Sequence, residues 1–515
     1  MASRRPFGPA GGRLPRAGSR RDHRIELRVN RLPIRWRSAG PTLTSGRRSP
    51  EQPRRTPPPL PGAPHDRRKE SSDAGVPAEH HRTGHQPVNI HGWDTVTAVS
   101  VAAVNRALAA DRPGLVAEFT ATGTALGGSY AMRGTFGDWQ VVGGGSGDLL
   151  RISVPITAGT VRTNGGTAID LAGTRAVLEV SLDLLPAADG TVQNLVFALH
   201  GAARPGDTPK PGVVTPIRLT APAAVTAHLG ELGADSVLAG VAQALAADAA
   251  SVSHVLASVN LVPPGAGGWP SPTHSTYAYQ ELPDGAGYLS VLSTTGGRDA
   301  TGLPAVVDPE LFAAGGDTAF AISQDLFLVH VLTPVLPRLF DGADATCFDW
   351  DPATHEVTAA RTFAIAPVRS GALDYVPLVE SVSVTVSGGL IDLTARGTCD
   401  LGARISMDFR FSSRHPVTAR PGSEEIGFAA DPNPLSEHAA HIPWWAWLIS
   451  PIGAGVAAAA ASAVADGIAD QLGSRFGTVG LHALPPLPVR SPGMRAVTVT
   501  SVRLDSALMI SGTAA

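Results

Sequence analysis

Two short stretches of this sequence contain residue types that could do chemistry. The run GGGSG, Gly143–Gly147, has the composition of a phosphate-binding loop, but such loops need a helix N-terminus and its amides directly after them. Here the strand-like LLRISVPI follows and no lysine is present, so the run predicts a turn. The stretch DWDPATHE, Asp349–Glu356, holds carboxylates and a histidine, yet it lacks the further oxygen ligands and the glycine of a calcium loop. Its strand-like flanks predict a hairpin connection.

No catalytic or metal-binding motif is readable elsewhere: GxSxG, HExxH, Walker and CxxC sequences are absent. His254, His330 and His482 lie in apolar surroundings without a fixed acidic partner, which predicts core or surface histidines. The histidines His80, His81, His85 and His91 lie in or beside the N-terminal region and are interpreted as incidental. Cys347 and Cys399 have no metal-ligand spacing and are predicted to be buried thiols, with a disulfide between them left open. We therefore expect a non-enzymatic protein with no catalytic residue, metal or cofactor.

The stretch IPWWAWLISPIGAGVAAAAASAVA, residues 442–465, carries no charge and is long enough to cross a bilayer. However, prolines interrupt it, its second part is mostly alanine and glycine, and no basic residue flanks it closely. The helical pattern also continues past its end, with Val464, Ile468 and Leu472 in one row and Gly473 suited to the C-terminal cap. These features predict a helix of a soluble protein and no membrane span.

Three tryptophans stand at the front of that stretch: Trp444, Trp445 and Trp447. Tryptophan is typical of boundaries between apolar and wet environments, including the mouths of lipid grooves. We identify the three as candidate lipid or partner contacts, with plain core filling as the alternative.

The first ninety residues are basic and the remainder is acidic. They carry 19 Arg or Lys and 7 Asp or Glu of chain totals of 41 and 44, so the segment is about +12 and the remainder about −15. Without a sustained period of 2 or 3.6, the segment cannot bury enough apolar surface to offset chain entropy. Residues 1–89 are therefore predicted to be a disordered, basic, Arg/Pro-rich extension. A tail that binds nucleic acid or anionic lipid, a plain flexible tail and an over-extended gene start all stay open.

Two further expectations follow from composition. Lysine occurs only at Lys69 and Lys210 while arginine is abundant, which predicts a bacterial source with a GC-rich, actinobacterial-looking genome. No apolar signal segment is readable at the N-terminus, so the protein is predicted to be cytoplasmic or released without a readable signal peptide.

Order is predicted to begin at NIHGWDTVTAVS. Ser100 suits an N-cap, and Val101, Val104 and Leu108 then follow helical spacing. A long helix is predicted from Asp235 to about Ala257. Strands with one dry and one wet face are predicted for LLRISVPI, RISMDFRF and AVLEVSLDLL, the last with Glu179, Ser181 and Asp183 on its wet face. A hairpin that turns at Ser387–Gly389 is predicted for VSVTVSGGLIDLTARG, and a strand-like run is predicted for residues 497–510.

Two segments resemble each other. DTVTAVSVAAVNRAL from Asp94 aligns with DTAFAISQDLFLVHV from Asp317, and in both a short apolar run leads into a serine and then a helical pattern. This indicates two related units that each open strand-to-helix, with chance matching as the alternative.

Four segments in order resemble the clostridial P47 proteins, a family encoded beside certain botulinum-type toxins: GWDTVTAVSVAAVNRAL, FGDWQVVGGGSGDLLRISVPI, AFAISQDLFLVHVLTPVLP and IPWWAWLISPIGAGVAAAAASAVADGIADQL. The resemblance spans roughly residues 90–515. It implies an α+β fold similar to the tubular lipid-binding (TULIP) superfamily, with two units in which a strongly curved antiparallel sheet wraps a long helix. The implied domains are the extension at 1–89, a first unit at 90–310 and a second at 311–515.

The resemblance also implies a function. We expect non-enzymatic binding of lipid or another elongated hydrophobic small molecule in an apolar groove. The alternative is a protein-interaction or assembly component for a toxin-like partner or related accessory proteins. No nucleic acid is expected to bind the folded part, and the family offers no catalytic residues to carry over.

Overall fold

Antiparallel β-sheets make up most of the fold. The computed structural model describes residues 88–125, 128–188, 190–261, 269–419, 426–443, 451–476, 480–481, 489–491 and 497–514, which all belong to one compact unit, His81–Ala515. Within these residues the chain forms a six-stranded, an eleven-stranded and a nine-stranded sheet and a two-stranded ribbon. Together with the helices, this confirms the predicted α+β class.

The strands of the three sheets and the ribbon have the following bounds. The six-stranded sheet has the order Pro272–Glu281, Gly287–Thr295, Thr95–Ser100, Thr318–Ser323, Ala507–Ala514 and Val497–Leu504. The eleven-stranded sheet contains Glu118–Ala125, Gly128–Phe136, Gln140–Ser146, Leu149–Thr163, Ile169–Asp170, Thr174–Pro186, Val192–Ala198, Gly201–Ala202, Val213–Thr220, Ala257–Asn260 and Val489–Arg490. The nine-stranded sheet contains Phe348–Asp351, Glu356–Ala359, Phe363–Ala364, Pro377–Ser387, Leu390–Gly402, Ile405–Ala419, Ile426–Phe428, Leu435–His441 and Gly480–Leu481. The ribbon pairs Val368–Ser370 with Leu373–Tyr375.

The helices are few, and two of them are long. The α-helices are Val101–Ala110, Ala223–Ala247, Gln324–Leu326, Leu336–Leu339 and Pro451–Phe476. A π-helix, Phe327–Leu332, and a 3-10 turn, Thr333–Val335, join the two short α-helices, so residues 324–339 form one irregular helical segment. Further 3-10 turns are Arg112–Gly114, Ala249–Ser251, Pro309–Phe312 and Ala345–Cys347.

The predicted extension, residues 1–89, lies outside the described residues except for its last two. Val88 is buried, and the Asn89 N–H donates to Asp308 at 3.0 Å. The packed part of the chain therefore begins slightly before the predicted boundary.

The two strands at the centre of the six-stranded sheet come from the two segments that resemble each other. They run antiparallel, side by side. The Ser100 N–H donates to the Asp317 carbonyl at 2.8 Å, and the Ser323 N–H donates to the Asp94 carbonyl at 2.9 Å. Because matched residues exchange these bonds, a local two-fold axis relates the two strands. A hairpin flanks each of them, Pro272–Thr295 on one side and 497–514 on the other.

The helix predicted after Ser100 is confirmed as Val101–Ala110. The Ser100 Oγ accepts from the Ala103 N–H at 3.2 Å, which caps one of the N–H groups that the first turn leaves unpaired. Val104 and Leu108 are buried as the spacing predicts. In the second segment the Ser323 Oγ caps in the same way, accepting from the Leu326 N–H at 3.3 Å.

The helix predicted for Asp235–Ala257 is in fact Ala223–Ala247. Its alanine-rich first turns give no apolar period, and Gly230 inside it has a φ of +57° that kinks it. The C-terminal boundary was wrong because Val252 and Leu256 continue the apolar spacing although they follow the helix. Leu256 is buried beside the next strand rather than on the helix.

LLRISVPI is confirmed as a strand with Leu150, Ile152, Val154 and Ile156 buried, but its predicted wet face is wrong at Ser153, which is buried too. In AVLEVSLDLL the predicted wet face is wrong in part, because Glu179 and Ser181 are buried. Burial of these polar groups is offset by hydrogen bonds. The Arg151 Nε donates to the Glu179 carboxylate at 2.8 Å, and the Gly212 N–H donates to the Ser181 Oγ at 2.6 Å.

The predicted hairpin at Ser387–Gly389 is confirmed. Gly388 and Gly389 have φ values of +57° and +82°, the left-handed pair that a two-residue turn between twisted strands requires. RISMDFRF is also confirmed as a strand with Met407, Phe409 and Phe411 buried. Residues 497–510 were predicted as one run and instead belong to two paired strands.

The core has three parts. The largest packs the first long helix, Ala223–Ala247, against the eleven-stranded sheet. A second packs the other long helix, Pro451–Phe476, with the nine-stranded sheet. Both of these clusters also include residues from one face of the six-stranded sheet. A smaller cluster, which includes Val96, Ala98 and Ala321, covers the other face of that sheet. The six-stranded sheet is therefore buried on both faces at its centre.

Candidate functional site

The first long helix, Ala223–Ala247, is buried mainly along its second half, with Leu229 the one large buried side chain of its first turns. Leu238, Val241 and Leu245 are buried in the core, whereas Leu232 in the first half is 63% exposed. Gly240 allows the close approach of the buried half to the sheet, because a Cβ there would lie 2.2 Å from the Met132 Sδ. The helix therefore has one anchored half and one half open to solvent.

The second long helix, Pro451–Phe476, repeats this arrangement. Val464, Ile468 and Leu472 are buried in the predicted row, whereas Val456 is 63% exposed. Gly467 allows the close approach, because a Cβ there would lie 2.4 Å from the Val368 Cγ1.

Two further predictions concern this helix: its C-terminal cap and the absence of a membrane span. The cap predicted at Gly473 is wrong, since the helix continues to Phe476. Within the described residues, no helix has the length and apolar character needed to cross a membrane. Trp444, Trp445 and Trp447 lie outside the described residues, so their role as lipid or partner contacts stays a prediction.

A cleft, named here the tryptophan cleft, contains Trp93, Trp269 and Trp350 and has a volume of about 790 Å³. Five chain segments contribute most of its lining: residues 88–94, 269–273, 295–298, 323–330 and 350–355. The cleft adjoins Asp94 and Ser323, which join the two central strands at one end of their pairing.

Two imidazoles hold the aromatic side chains of the cleft. The ring of His330 stacks on Trp269, with centroids 5.1 Å apart and planes 2° from parallel. Burial lowers the pKa of His330 below its usual value, so its neutral form is favoured. The His355 ring meets Trp350 edge to face, with centroids 6.1 Å apart. Its Nδ1 lies 2.7 Å from an Asp325 carboxylate oxygen.

An ion pair forms another wall of the cleft. Asp94 and Arg298 lie 2.8 Å apart, and the Asp94 carboxylate also accepts from the N–H of Thr295 at 2.7 Å. Arg298 donates in addition to the carbonyl of Gly92. Because both charges are bonded within the protein, this wall is rigid and nearly neutral.

The sequence missed most of the cleft because its residues come from separate segments. Residues 88–94 and 323–330 of the cleft overlap the two segments that resemble each other, and Trp350 and His355 belong to DWDPATHE. Its prediction as a hairpin is confirmed by the paired strands Phe348–Asp351 and Glu356–Ala359. The described residues contain no group of three or more His, Cys, Asp or Glu placed to hold a metal ion.

The other candidates identified in the sequence have structural roles. In the glycine-rich run, Gly143–Ser146 belong to the irregular end of the strand Gln140–Ser146, where the Gly144 N–H donates to Glu281 at 2.5 Å. The predicted turn is confirmed only at the end of the run, where Gly147 has a φ of +64°. His254 was predicted to lack an acidic partner, and this is wrong: its Nδ1 lies 2.7 Å from Asp111. The sequence could not show this pair because Asp111 follows the first helix, far from His254 in the chain.

Cys347 and Cys399 are buried free thiols, as predicted, and form no disulfide. Burial raises the pKa of Cys399 to about 11, which keeps the thiol protonated. His482 lies outside the described residues.

The fold and its concave features define a class: an α+β protein of antiparallel sheets with two long, half-exposed helices and an aromatic cleft. The OrfX-like family model, described as Protein OrfX2/OrfX3/P47, matches residues 90–502. This chain belongs to that family, as its sequence resemblance predicted.

Individual relatives agree with the family assignment. Protein P47 of Clostridium botulinum (strain Kyoto / Type A2) is 24% identical over 364 residues, which cover 69% of this chain and 84% of P47. Protein OrfX3 of Paraclostridium bifermentans is 24% identical over 361 residues, covering 63% of this chain and 72% of OrfX3.

Solved structures show the same fold. The structure of P47 from Clostridium botulinum A2 has a TM-score of 0.67 at 21% identity and covers 83% of this chain and 99% of that one. P47 of Clostridium botulinum E1 has a TM-score of 0.64 at 19% identity, with 83% and 100% covered.

Proposed function

We propose that this chain binds lipid or another elongated hydrophobic ligand without catalysing a reaction, in an apolar groove beside each long helix. We further propose that the folded part comprises two TULIP-like units, residues 90–310 and 311–515. The observation that carries the proposal is the partial exposure of both long helices, with Leu232 and Val456 exposed in their first halves.

The contacts of the first long helix support a curved sheet around it. In the eleven-stranded sheet, five strands follow one another by pairing: Glu118–Ala125, Gly128–Phe136, Leu149–Thr163, Thr174–Pro186 and Val213–Thr220. At about 4.8 Å per strand this path is roughly 19 Å wide, whereas a helix is only about 10 Å across. The helix contacts all five strands and lies closest to the first and the last. A sheet bent around the helix accounts for this pattern better than a flat one.

The local two-fold axis supports two units. Each proposed unit contains one central strand, a helical segment after a serine cap, a larger sheet, one long helix and a closing hairpin. The order of these elements along the chain is the same in both. This agrees with duplication as the origin of the internal similarity.

Energetics favour an apolar ligand at the open halves of the helices. Each buried methylene contributes about 0.8 kcal/mol, so an acyl chain that covers the exposed alanines, Leu232 and Val456 could bind without a specific polar contact. Such binding also needs no cluster of titratable groups, in agreement with a role other than catalysis.

Lipid extraction from the purified full-length chain tests the proposal. We expect mass spectrometry to find co-purified lipid, and a variant with Leu232→Gln and Val456→Gln to retain less of it. Loss of a leucine contact weakens binding by about tenfold. The matched control is Leu373→Gln with Val376→Gln, which changes a similarly exposed leucine and an exposed valine on or beside the two-stranded ribbon. Protein free of lipid, or equal loss in both variants, would contradict the proposal.

A second candidate function, assembly with a toxin-like partner or related accessory proteins, rests on the strand Leu435–His441. Among the described residues this strand pairs only with Ile405–Ala419, and nearly all its side chains are exposed, Leu435 by 66%. An open strand edge can accept a strand of another protein.

Proline substitution separates this function from lipid binding. Neighbouring strand residues point their N–H groups to opposite edges, so either Ala439→Pro or Ala440→Pro removes an outward donor. We expect one of the two to abolish co-elution with proteins encoded by adjacent genes, while lipid content stays unchanged. Co-elution that survives both substitutions would exclude this edge as the contact.

A further inference from the structure

The tryptophan cleft has the size and composition of a small-molecule site. None of its described lining residues belongs to either long helix. A volume of about 790 Å³ falls within the range of ligand pockets. Trp269 and Trp350 are half-buried, so each ring combines a fixed position with remaining accessible surface. Stacking on His330 and edge contact with His355 restrict both indoles. The cleft therefore presents two pre-positioned aromatic surfaces.

The polar groups around these rings include both donors and acceptors. Asn89 and Gln324 contribute side-chain amides, which carry two donors and one acceptor group each. Asp325 contributes a carboxylate, and Ser271 a hydroxyl. The His355 Nδ1 lies 2.7 Å from an Asp325 oxygen, and its Nε2 can bond to a ligand hydroxyl as donor or acceptor. This set of groups matches a ligand with several hydroxyls.

The charges of the cleft argue against an anionic ligand. Arg298 is its only arginine or lysine within the described lining, and it is paired with Asp94 and bonded to the Gly92 carbonyl. Phosphate and carboxylate recognition instead uses guanidinium or ammonium groups with free donors. The lining polar groups also disfavour an acyl chain, since covering them with hydrocarbon would leave them unsatisfied.

We infer that the tryptophan cleft binds a neutral carbohydrate, with sugar rings against Trp269 and Trp350 and hydroxyls bonded to Gln324, Asp325 and His355. Pyranose rings expose a flat C–H face and an equatorial ring of hydroxyls, which fits aromatic surfaces bordered by amides and carboxylates. This function is additional to the proposed binding of a hydrophobic ligand and uses different residues.

Screening the full-length protein on an array of neutral bacterial and host glycans, followed by calorimetry with the best oligosaccharide, tests the inference. We expect Trp350→Ala to weaken binding by about tenfold and Trp350→Phe to retain most of it. Asp325→Asn is expected to weaken binding as well, because the amide no longer offers two acceptor oxygens. The control is Asp374→Asn, at an exposed carboxylate on the two-stranded ribbon.

Each outcome decides the inference. Binding that Trp350→Ala and Asp325→Asn weaken, and that Asp374→Asn preserves, supports it. No binding to any neutral glycan overturns it, as does binding that is equal in all variants. Binding of choline or arginine amide in place of glycans also overturns it, and would indicate a cation site on the same rings. Lipid content should be unchanged by these substitutions, so failure here leaves the lipid proposal unaffected.

Discussion

Gly467 of the second long helix lies against Val368 of the two-stranded ribbon, and adding one methyl group there tests that contact. In Gly467→Ala the Cβ would lie 2.4 Å from the Val368 Cγ1, against about 3.5–4.0 Å for an unstrained carbon pair. Val368 is buried, so relief requires an unfavourable rotamer or a shift of the helix. Overpacking of this kind costs about 1–3 kcal/mol.

Intrinsic helix propensity acts in the opposite direction, and a matched control separates the two effects. Alanine is better than glycine in a helix interior by about 1 kcal/mol. Gly455 lies in the same helix, and a Cβ there would meet nothing within 4 Å. We therefore expect Gly455→Ala to stabilise the protein by about 0.5–1 kcal/mol. Gly467→Ala should be less stable than Gly455→Ala by about 1–3 kcal/mol.

Urea unfolding followed by tryptophan fluorescence measures this difference as a shift in midpoint at constant slope. The double variant Gly467→Ala with Val368→Ala completes the test, because the smaller side chain leaves room for the new methyl group. The two substitutions together should then be less harmful than the sum of their separate effects. Equal stability of Gly467→Ala and Gly455→Ala would refute the close approach of helix and strand.

Three further predictions follow from individual contacts. Asp94→Asn should destabilise the protein by about 1.5–3 kcal/mol in thermal or urea unfolding, because the carboxylate accepts from Thr295 and pairs with Arg298. The counterpart Asp317→Asn should destabilise it less, since its partner Arg106 is largely exposed. Burial lowers the pKa of His415, so the unfolded state binds more protons than the folded state below about pH 6.5. Stability should therefore fall as pH decreases through that region. His415→Gln should reduce this pH dependence, and an unchanged dependence would contradict the role of His415. Cys347 and Cys399 are both buried and free, so a thiol reagent should modify them only after denaturation; rapid modification of the native protein would show that the core opens.

Local patterns predicted the elements whose burial follows a simple period. Leu150, Ile152, Val154 and Ile156 alternate in the sequence and are all buried in the strand, although Ser153 between them is buried as well. Ser100 and the spacing of Val104 and Leu108 define a helix start that the structure retains. The first long helix was placed wrongly because alanine-rich turns have no apolar contrast, and because the kink at Gly230 depends on backbone conformation rather than on periodicity.

Contacts between residues that are distant in the chain determine the features that local sequence patterns did not predict. Glu179 was predicted to face water because its neighbours alternate, yet Arg151 on the adjacent strand allows it to be buried. The partner of His254, Asp111, is distant in the chain. The tryptophan cleft joins segments that are distant in the chain, so no local motif could specify it. Residues 88–94, 323–330 and 350–355 overlap stretches identified in the sequence, but the sequence does not show that they meet.

Side chains distinguish the two ends of the central strands, and the tryptophan cleft lies at the Asp94 end. Asp94 and Asp317 occupy matched positions and their carbonyls accept matched hydrogen bonds, so the backbone frame is the same at both ends. Their side chains differ in environment: Asp94 is fixed by Thr295 and Arg298 in the wall of the cleft, whereas Asp317 pairs with the exposed Arg106 and accepts from the Ser100 hydroxyl. Backbone pairing can hold the two halves together independently of these carboxylates, which leaves the side chains at each end free to acquire separate functions. A site at the Asp94 end therefore requires no second copy at the Asp317 end, and its variants should alter ligand binding without separating the two halves.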